Sequence, residues 1–238
     1  MIKHGWVPNP TAGLGRTGSK EFWEVQSRRP WPPQPDPVSP YKMIYLIRNA
    51  QSEAEVFEGK DRSTNPELKD CGLTEHGIQQ SKDLLKLLAG EHLENIQLVV
   101  TSPLKRALHT ALLGFPEHKI IVNYDLADAG REGPENSPKP MDDVLVDLDS
   151  DIKGRKEDAF VDYKSLQPKK WPQPPGNEPA TRRIQSAFQW LYMDRREQTI
   201  AVVCHSNVIR TAIYGASAPV APDNAAPIKC QLFMSGNL

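Results

Sequence analysis

Cysteine is scarce in this 238-residue chain. Its three cysteines, Cys71, Cys204 and Cys230, are widely spaced and odd in number. They read neither as a disulfide framework nor as a zinc site. Net charge is nearly absent: 29 lysines and arginines face 30 aspartates and glutamates, leaving a formal charge of −1. A chain so balanced lacks the dominating basic field of a nucleic-acid binder. Long apolar runs are also missing, since none approaches the ~18 residues of a membrane-spanning helix. The opening MIKHGWVPNPTAG has no apolar core of a secretory signal. These absences lead to the expectation of a soluble, reduced, cytoplasmic protein with neither nucleic acid nor membrane as partner.

Proline, by contrast, is plentiful, with 22 in the chain. The run RRPWPPQPDPVSP at 28–40 suits neither helix nor inner strand, because proline lacks the backbone donor both need. Residues 1–42 therefore read as an extended arm, unusually rich in tryptophan for a disordered leader (Trp6, Trp23 and Trp31). Such an arm can pack over the domain or exchange with a second copy to make a homodimer. A second cluster, PKKWPQPPGNEP at 168–179, marks a surface loop. Residues 43–238 then form a single domain with long loops at 50–70 and 130–180.

Within that domain strands and helices alternate. MIYLI at 43–47, QLVVT at 97–101, Lys119–Val122 and TIAVV at 199–203 are short apolar runs of the kind buried on both faces of a parallel sheet. Thr74 caps a predicted helix to Ala89, with Ile78, Leu84, Leu85 and Leu88 as its stripe. Ser102-Pro103 reads as N-cap and first turn of a helix to Leu113. A weak helical pattern covers Met141–Leu148. Thr181–Arg195 and Asn207–Tyr214 are further helices, and Pro227–Phe233 is a candidate edge strand. The expected fold class is α/β, a three-layer α/β/α sandwich with a mostly parallel central sheet. Cys204 points into the sheet packing, while His109 and His118 read as surface residues. Tyr163 and Trp171 lie in the long loop, as ligand contacts or as its anchors to the core.

Three of the strands end in polar residues of chemical interest. The first runs into Arg48-Asn49, the second into Ser102 with Arg106 one turn on, and the last into His205. In an open parallel sheet, ligands bind outside the carboxyl ends of the strands. Two arginine forks, a histidine and a helix start converging there suit a phosphate or carboxylate. The implied partner is a small anionic or phosphorylated molecule. No His/Cys/Asp cluster has metal-ligand spacing, so no metal and no cofactor are implied.

The motifs and their order resemble the histidine phosphatase superfamily, also called phosphoglycerate mutase-like. The R-H-G-x-S/T-x-x-N motif of that family corresponds to Arg48-Asn49-Ala50-Gln51-Ser52-Glu53-Ala54-Glu55. Its L-T-x-x-G helix start corresponds to Leu73–Gly77, and its S-x-x-x-R-A-x-x-T to Ser102–Thr110. Its L-x-E corresponds to Leu126-Ala127-Asp128, and V-V-x-H-G to Val202–Ser206. The resemblance spans 43–233. It implies that Arg48, Arg106 and His205 clamp a phosphoryl group with Ser52 and Ser102 beside them. It also implies that Asp128 is the proton donor, with Asp125, Glu132 and Glu135 as competitors.

Two positions depart from the pattern. Asn49 stands where the family has its nucleophilic histidine, and a carboxamide has no basic lone pair for covalent catalysis. Glu55 stands where the family has a neutral asparagine. It would repel a dianionic phosphoryl group, act as a general base, or pair with Arg48 in an empty pocket. The leading expectation is a repurposed enzyme of lyase, isomerase or hydrolase type, with Glu55, His205 and Asp128 doing acid–base work and Asn49 beside them. The alternatives are a non-catalytic binder of a phosphorylated ligand and a phosphatase whose histidine was replaced.

Overall fold

The computed structural model describes residues 40–90, 95–128, 133–152, 161–169, 180–214 and 221–233. The arm up to residue 39, Glu132 and Trp171 lie outside these, and so does any dimer the arm would make. In chain order the elements are β1 (Tyr41–Arg48), α1 (Glu53–Val56), α2 (Glu75–Gly90), β2 (Leu98–Thr101) and α3 (Lys105–Gly114). There follow β3 (Ile120–Val122), α4 (Met141–Ile152), β4 (Val161–Asp162), α5 (Ala180–Met193), β5 (Thr199–Cys204), α6 (Ser206–Tyr214) and β6 (Pro227–Phe233). The described residues form one six-stranded sheet, in the order β4-β3-β2-β5-β1-β6. All neighbouring pairs are parallel except β6, which runs antiparallel along β1 at the edge.

The inner strands are apolar throughout because both faces are covered. Successive side chains alternate between the layers. Tyr45, Ile47, Val99, Ala201 and Val203 pack with Leu84, Leu88, Leu108, Leu112, Val144 and Leu148 from α2, α3 and α4, and with Phe115 just after α3. Ile44, Leu46, Val100, Ile200, Val202 and Cys204 pack with Ile184, Phe188, Leu191, Val208 and Ile209 from α5 and α6. The result is the expected three-layer α/β/α arrangement. Among the described residues no helix is long and apolar enough to cross a membrane.

Several local expectations need correction. The helix after β2 starts at Lys105, two residues later than Ser102-Pro103 suggested. Leu104 is extended (ψ 136°), and the Lys105 N–H is capped by Asp70 Oδ1 from a remote loop (2.8 Å). Ser102 Oγ still accepts from the Leu104 N–H (3.3 Å). His109 is buried rather than on the surface, because α3 is enclosed nearly all round by the sheet, α2 and α4. The loop at 50–70 contains α1, and the stretch from 130 to 180 contains α4, longer than its pattern suggested, and the two-residue β4. Tyr163 anchors the loop to the core: its hydroxyl donates to Asp142 Oδ1 (2.6 Å) and its carbonyl accepts from Tyr124 (2.9 Å).

Candidate functional site

β1, β5 and β2 lie side by side, so the residues following them meet at one sheet edge. Two ladder-like bonds hold them in register: Asn49 N–H donates to Cys204 O (2.8 Å) and Ser102 N–H to Val203 O (3.0 Å). His205 stands between the side chains of these two residues. Its Nδ1 is 3.1 Å from Asn49 Oδ1 and its Nε2 2.7 Å from Ser102 Oγ. Asn49 Nδ2 donates to the Ala50 carbonyl (2.9 Å), which leaves its oxygen facing the ring. The chain Ser102 O–H to Nε2, then Nδ1–H to Asn49, therefore fixes the neutral Nδ1–H tautomer. Burial, followed by the charge of Arg106, pushes the His205 pKa down to about 3. This imidazole is uncharged at neutral pH.

The two arginines each meet a carboxylate. Arg48 Nη2 is 3.1 Å from Glu55 Oε2, and its Nη1 donates to Pro222 O (2.9 Å). Arg106, only 5% exposed, donates to Glu135 O (2.6 Å), Asn136 Oδ1 (2.8 Å) and Asp128 Oδ2 (3.1 Å). Asn207 Nδ2 supports Asp128 from the other side (3.3 Å). These groups line a cavity of about 610 Å³. Five basic side chains, Arg48, Lys60, Arg62, Arg106 and Arg210, face three carboxylates, Glu55, Asp128 and Glu135. The balance is cationic, as an anion site requires.

The motif residues outside the cavity earn their places by positioning this floor. Thr74 Oγ1 caps α2 by accepting from the Gly77 N–H (3.0 Å), and the Thr74 N–H holds Gln51 O (3.1 Å). At Gly77 a Cβ would lie 2.1 Å from that same Gln51 oxygen, so only glycine lets the helix approach the Asn49–Ser52 loop so closely. Thr110 Oγ1 accepts the Ala50 N–H (3.0 Å).

The structure brings Arg48, Asn49, Ser52, Glu55, Arg106, Asp128 and His205 together on the cavity wall. Ser102 is fully enclosed and reaches the cavity only through His205. Of the competing acids, Glu135 lines the cavity. Asp125 is not among the residues lining the cavity; its backbone N–H donates to Asn123 Oδ1 and its carbonyl accepts from Arg183. Sequence reasoning missed Arg210 and Asn207, whose signal was their place in the helix that starts directly after His205. It also missed Lys60 and Arg62, which sit in a loop without periodicity. Asn224 gave no local signal either; its Nδ2 donates to Asn49 O (3.0 Å) and to both Glu55 oxygens. Among the described residues no three His, Cys, Asp or Glu side chains group as for a metal ion. Chemically, the site can hold an oxyanion but presents a carboxamide, not a nucleophile, at its floor.

Comparison with known proteins agrees with this geometry. Residues 44–131 match the family model described as histidine phosphatase superfamily (branch 1). A phosphoglycerate mutase-like protein of Arabidopsis thaliana is 26% identical over 205 residues, covering 73% of this chain and 74% of its own. A putative alpha-ribazole-5'-P phosphatase from Escherichia coli superposes with a TM-score of 0.51 at 20% identity, over 82% of this chain and 92% of that one. An ecdysone phosphate phosphatase from Bombix mori superposes at 0.50 and 15% identity, over 78% and 87%. The family model covers β1 to β3 and the residues just after, and the likeness of the α/β fold to the solved structures extends beyond it: the chain is similar to the histidine phosphatase superfamily over residues 44–131.

Proposed function

We propose that the protein binds a phosphorylated small molecule between Arg48, Arg106 and His205, in a phosphatase-type pocket silenced at its covalent step. The observation that carries this reading is the 3.1 Å contact of Asn49 with His205 on the floor of a cationic cavity. Arginine forks match the oxygens of a phosphoryl group. A carboxamide at the floor cannot attack phosphorus, because its nitrogen lone pair is delocalised. The relatives named as phosphatases support a phosphoryl ligand. In this reading Asp128 is the acid beside the leaving oxygen, held by Arg106 and Asn207.

The test is hydrolysis of an aryl phosphate and a panel of phosphorylated metabolites by the native protein and by Asn49→His. The variant is expected to turn over at least one of them, at roughly a hundredfold or more above the native protein. An inert variant that still folds and still binds inorganic phosphate would sink the idea of a silenced phosphatase.

A second reading rests on a different observation, that Glu55, Asp128 and Glu135 bring three carboxylates to one wall. There the chain is an enzyme performing an acid–base reaction on an organic anion, with Glu55 as base. Under this reading Glu55→Gln lowers turnover by roughly a hundredfold. It ranks second because both Glu55 oxygens are already engaged by Asn224 and one also by Arg48. His205, neutral and bonded at both nitrogens, is a poor acid at pH 7.

A further inference from the structure

Glu55 sits in the cavity as an anion would. Its carboxylate receives Arg48 Nη2 at 3.1 Å, Asn224 Nδ2 at 3.2 and 3.1 Å, and Ser52 Oγ at 3.4 Å. The donors come from three separate segments: the end of β1, the start of α1 and the loop before β6. The remaining cavity arginine of the clamp is arranged differently. Arg106 is fastened to a backbone carbonyl and a side-chain amide as well as to Asp128, so its fork is part of the framework. Arg48 is tied to the framework through Nη1 alone, and its Nη2 points to Glu55. The Glu55 side chain is 26% exposed and hangs from a four-residue helix, so it has somewhere to go.

We infer that Glu55 is a resident anion in the subsite of Arg48, Asn224 and Ser52, and that it weakens the pocket's hold on doubly charged ligands more than on singly charged ones. This rests on the phosphate-binding reading and refines it. A ligand that enters while Glu55 stays charged meets a repulsion proportional to its own charge. The penalty on a dianion is therefore twice, in free energy, that on a monoanion of the same shape. Expressed as affinity, a factor f lost by the monoanion is f squared lost by the dianion. The five basic side chains of the cavity still attract a dianion, and Glu55 narrows its advantage over a singly charged oxyanion such as a phosphodiester, sulfonate or carboxylate.

Calorimetric titration with sulfate and with methanesulfonate tests this, because the two are tetrahedral and differ by one charge. Glu55→Gln is expected to tighten methanesulfonate by roughly threefold and sulfate by roughly tenfold. Glu55→Ala, which also vacates the space, should show the same order. Equal gains for the two anions, or no gain, overturn the inference and leave the anion pocket standing. If neither anion binds the native protein or the variants, the phosphate-binding reading falls with it. Unfolding midpoints measured without ligand establish that each variant is folded.

Discussion

Acidification should destabilise this protein well before its carboxylates protonate. Among the described residues two histidines are buried, His205 at 1% and His109 at 2% exposure. Burial drives the pKa of the first down to about 3 and of the second to about 4. An exposed histidine in the unfolded chain titrates near 6.5. Between these values the unfolded state binds the proton and the folded state does not, so stability is lost as pH falls. The loss begins below about 6.5 and is complete only under the folded values. At pH 5 each histidine costs about 2 kcal/mol, and the pair about 4 kcal/mol, against a typical total of ~5–15 kcal/mol. The Asp147, Asp162 and Glu197 carboxyls are held below their usual range and respond lower still. Asp70, raised chiefly by its burial, works in the opposite sense because the fold takes up its proton more readily. The decisive assay is urea unfolding at pH 7, 6 and 5 in a non-binding buffer, on the native protein and on His205→Gln and His109→Gln. Near pH 5–6 each histidine contributes a slope of about 1.4 kcal/mol per pH unit. Each variant should lose that contribution. If the slope is the same in the native protein and both variants, the argument from buried neutral imidazoles is wrong.

Other consequences can be measured alongside. Gly77→Ala places a methyl against Gln51 O and should cost about 1–3 kcal/mol in urea unfolding while weakening phosphate binding through the displaced Asn49–Ser52 loop. Arg106→Ala leaves Asp128 in a 13% exposed setting without its guanidinium; an expected loss of about 3–5 kcal/mol, typical of a broken buried pair, is read from the denaturation midpoint. Phe188→Ala empties the packing under α5 and should lower stability by about 3–5 kcal/mol without changing anion affinity, which calorimetry can verify.

Much of the fold was legible because it follows from local pattern. The apolar runs at 43–47, 97–101 and 199–203 are strands buried on both faces, and their short, continuous apolar character announces the sheet. Thr74 and the stripe of Leu84 and Leu88 announced α2. Chemistry at the strand ends was legible for the same reason, since parallel strands deliver their last residues to one edge. Arg48, Asn49, Arg106 and His205 were named from that rule and from the motifs. What sequence order left dark is whatever depends on contacts between distant segments. The register Arg48↔Cys204 and the placing of His205 between Asn49 and Ser102 are set by which strands become neighbours. The cap on α3 comes from Asp70, and the partner of Glu55 from Asn224, each far away in the chain. His109 looked like a surface residue because its own helix shows only one apolar stripe, and it is the packing of α4 and the sheet that encloses it. The sequence alone determined which groups are present and to which edge of the sheet they go. Only the tertiary structure decided their protonation and their partners, because burial and pairing are properties of the neighbours rather than of the residue.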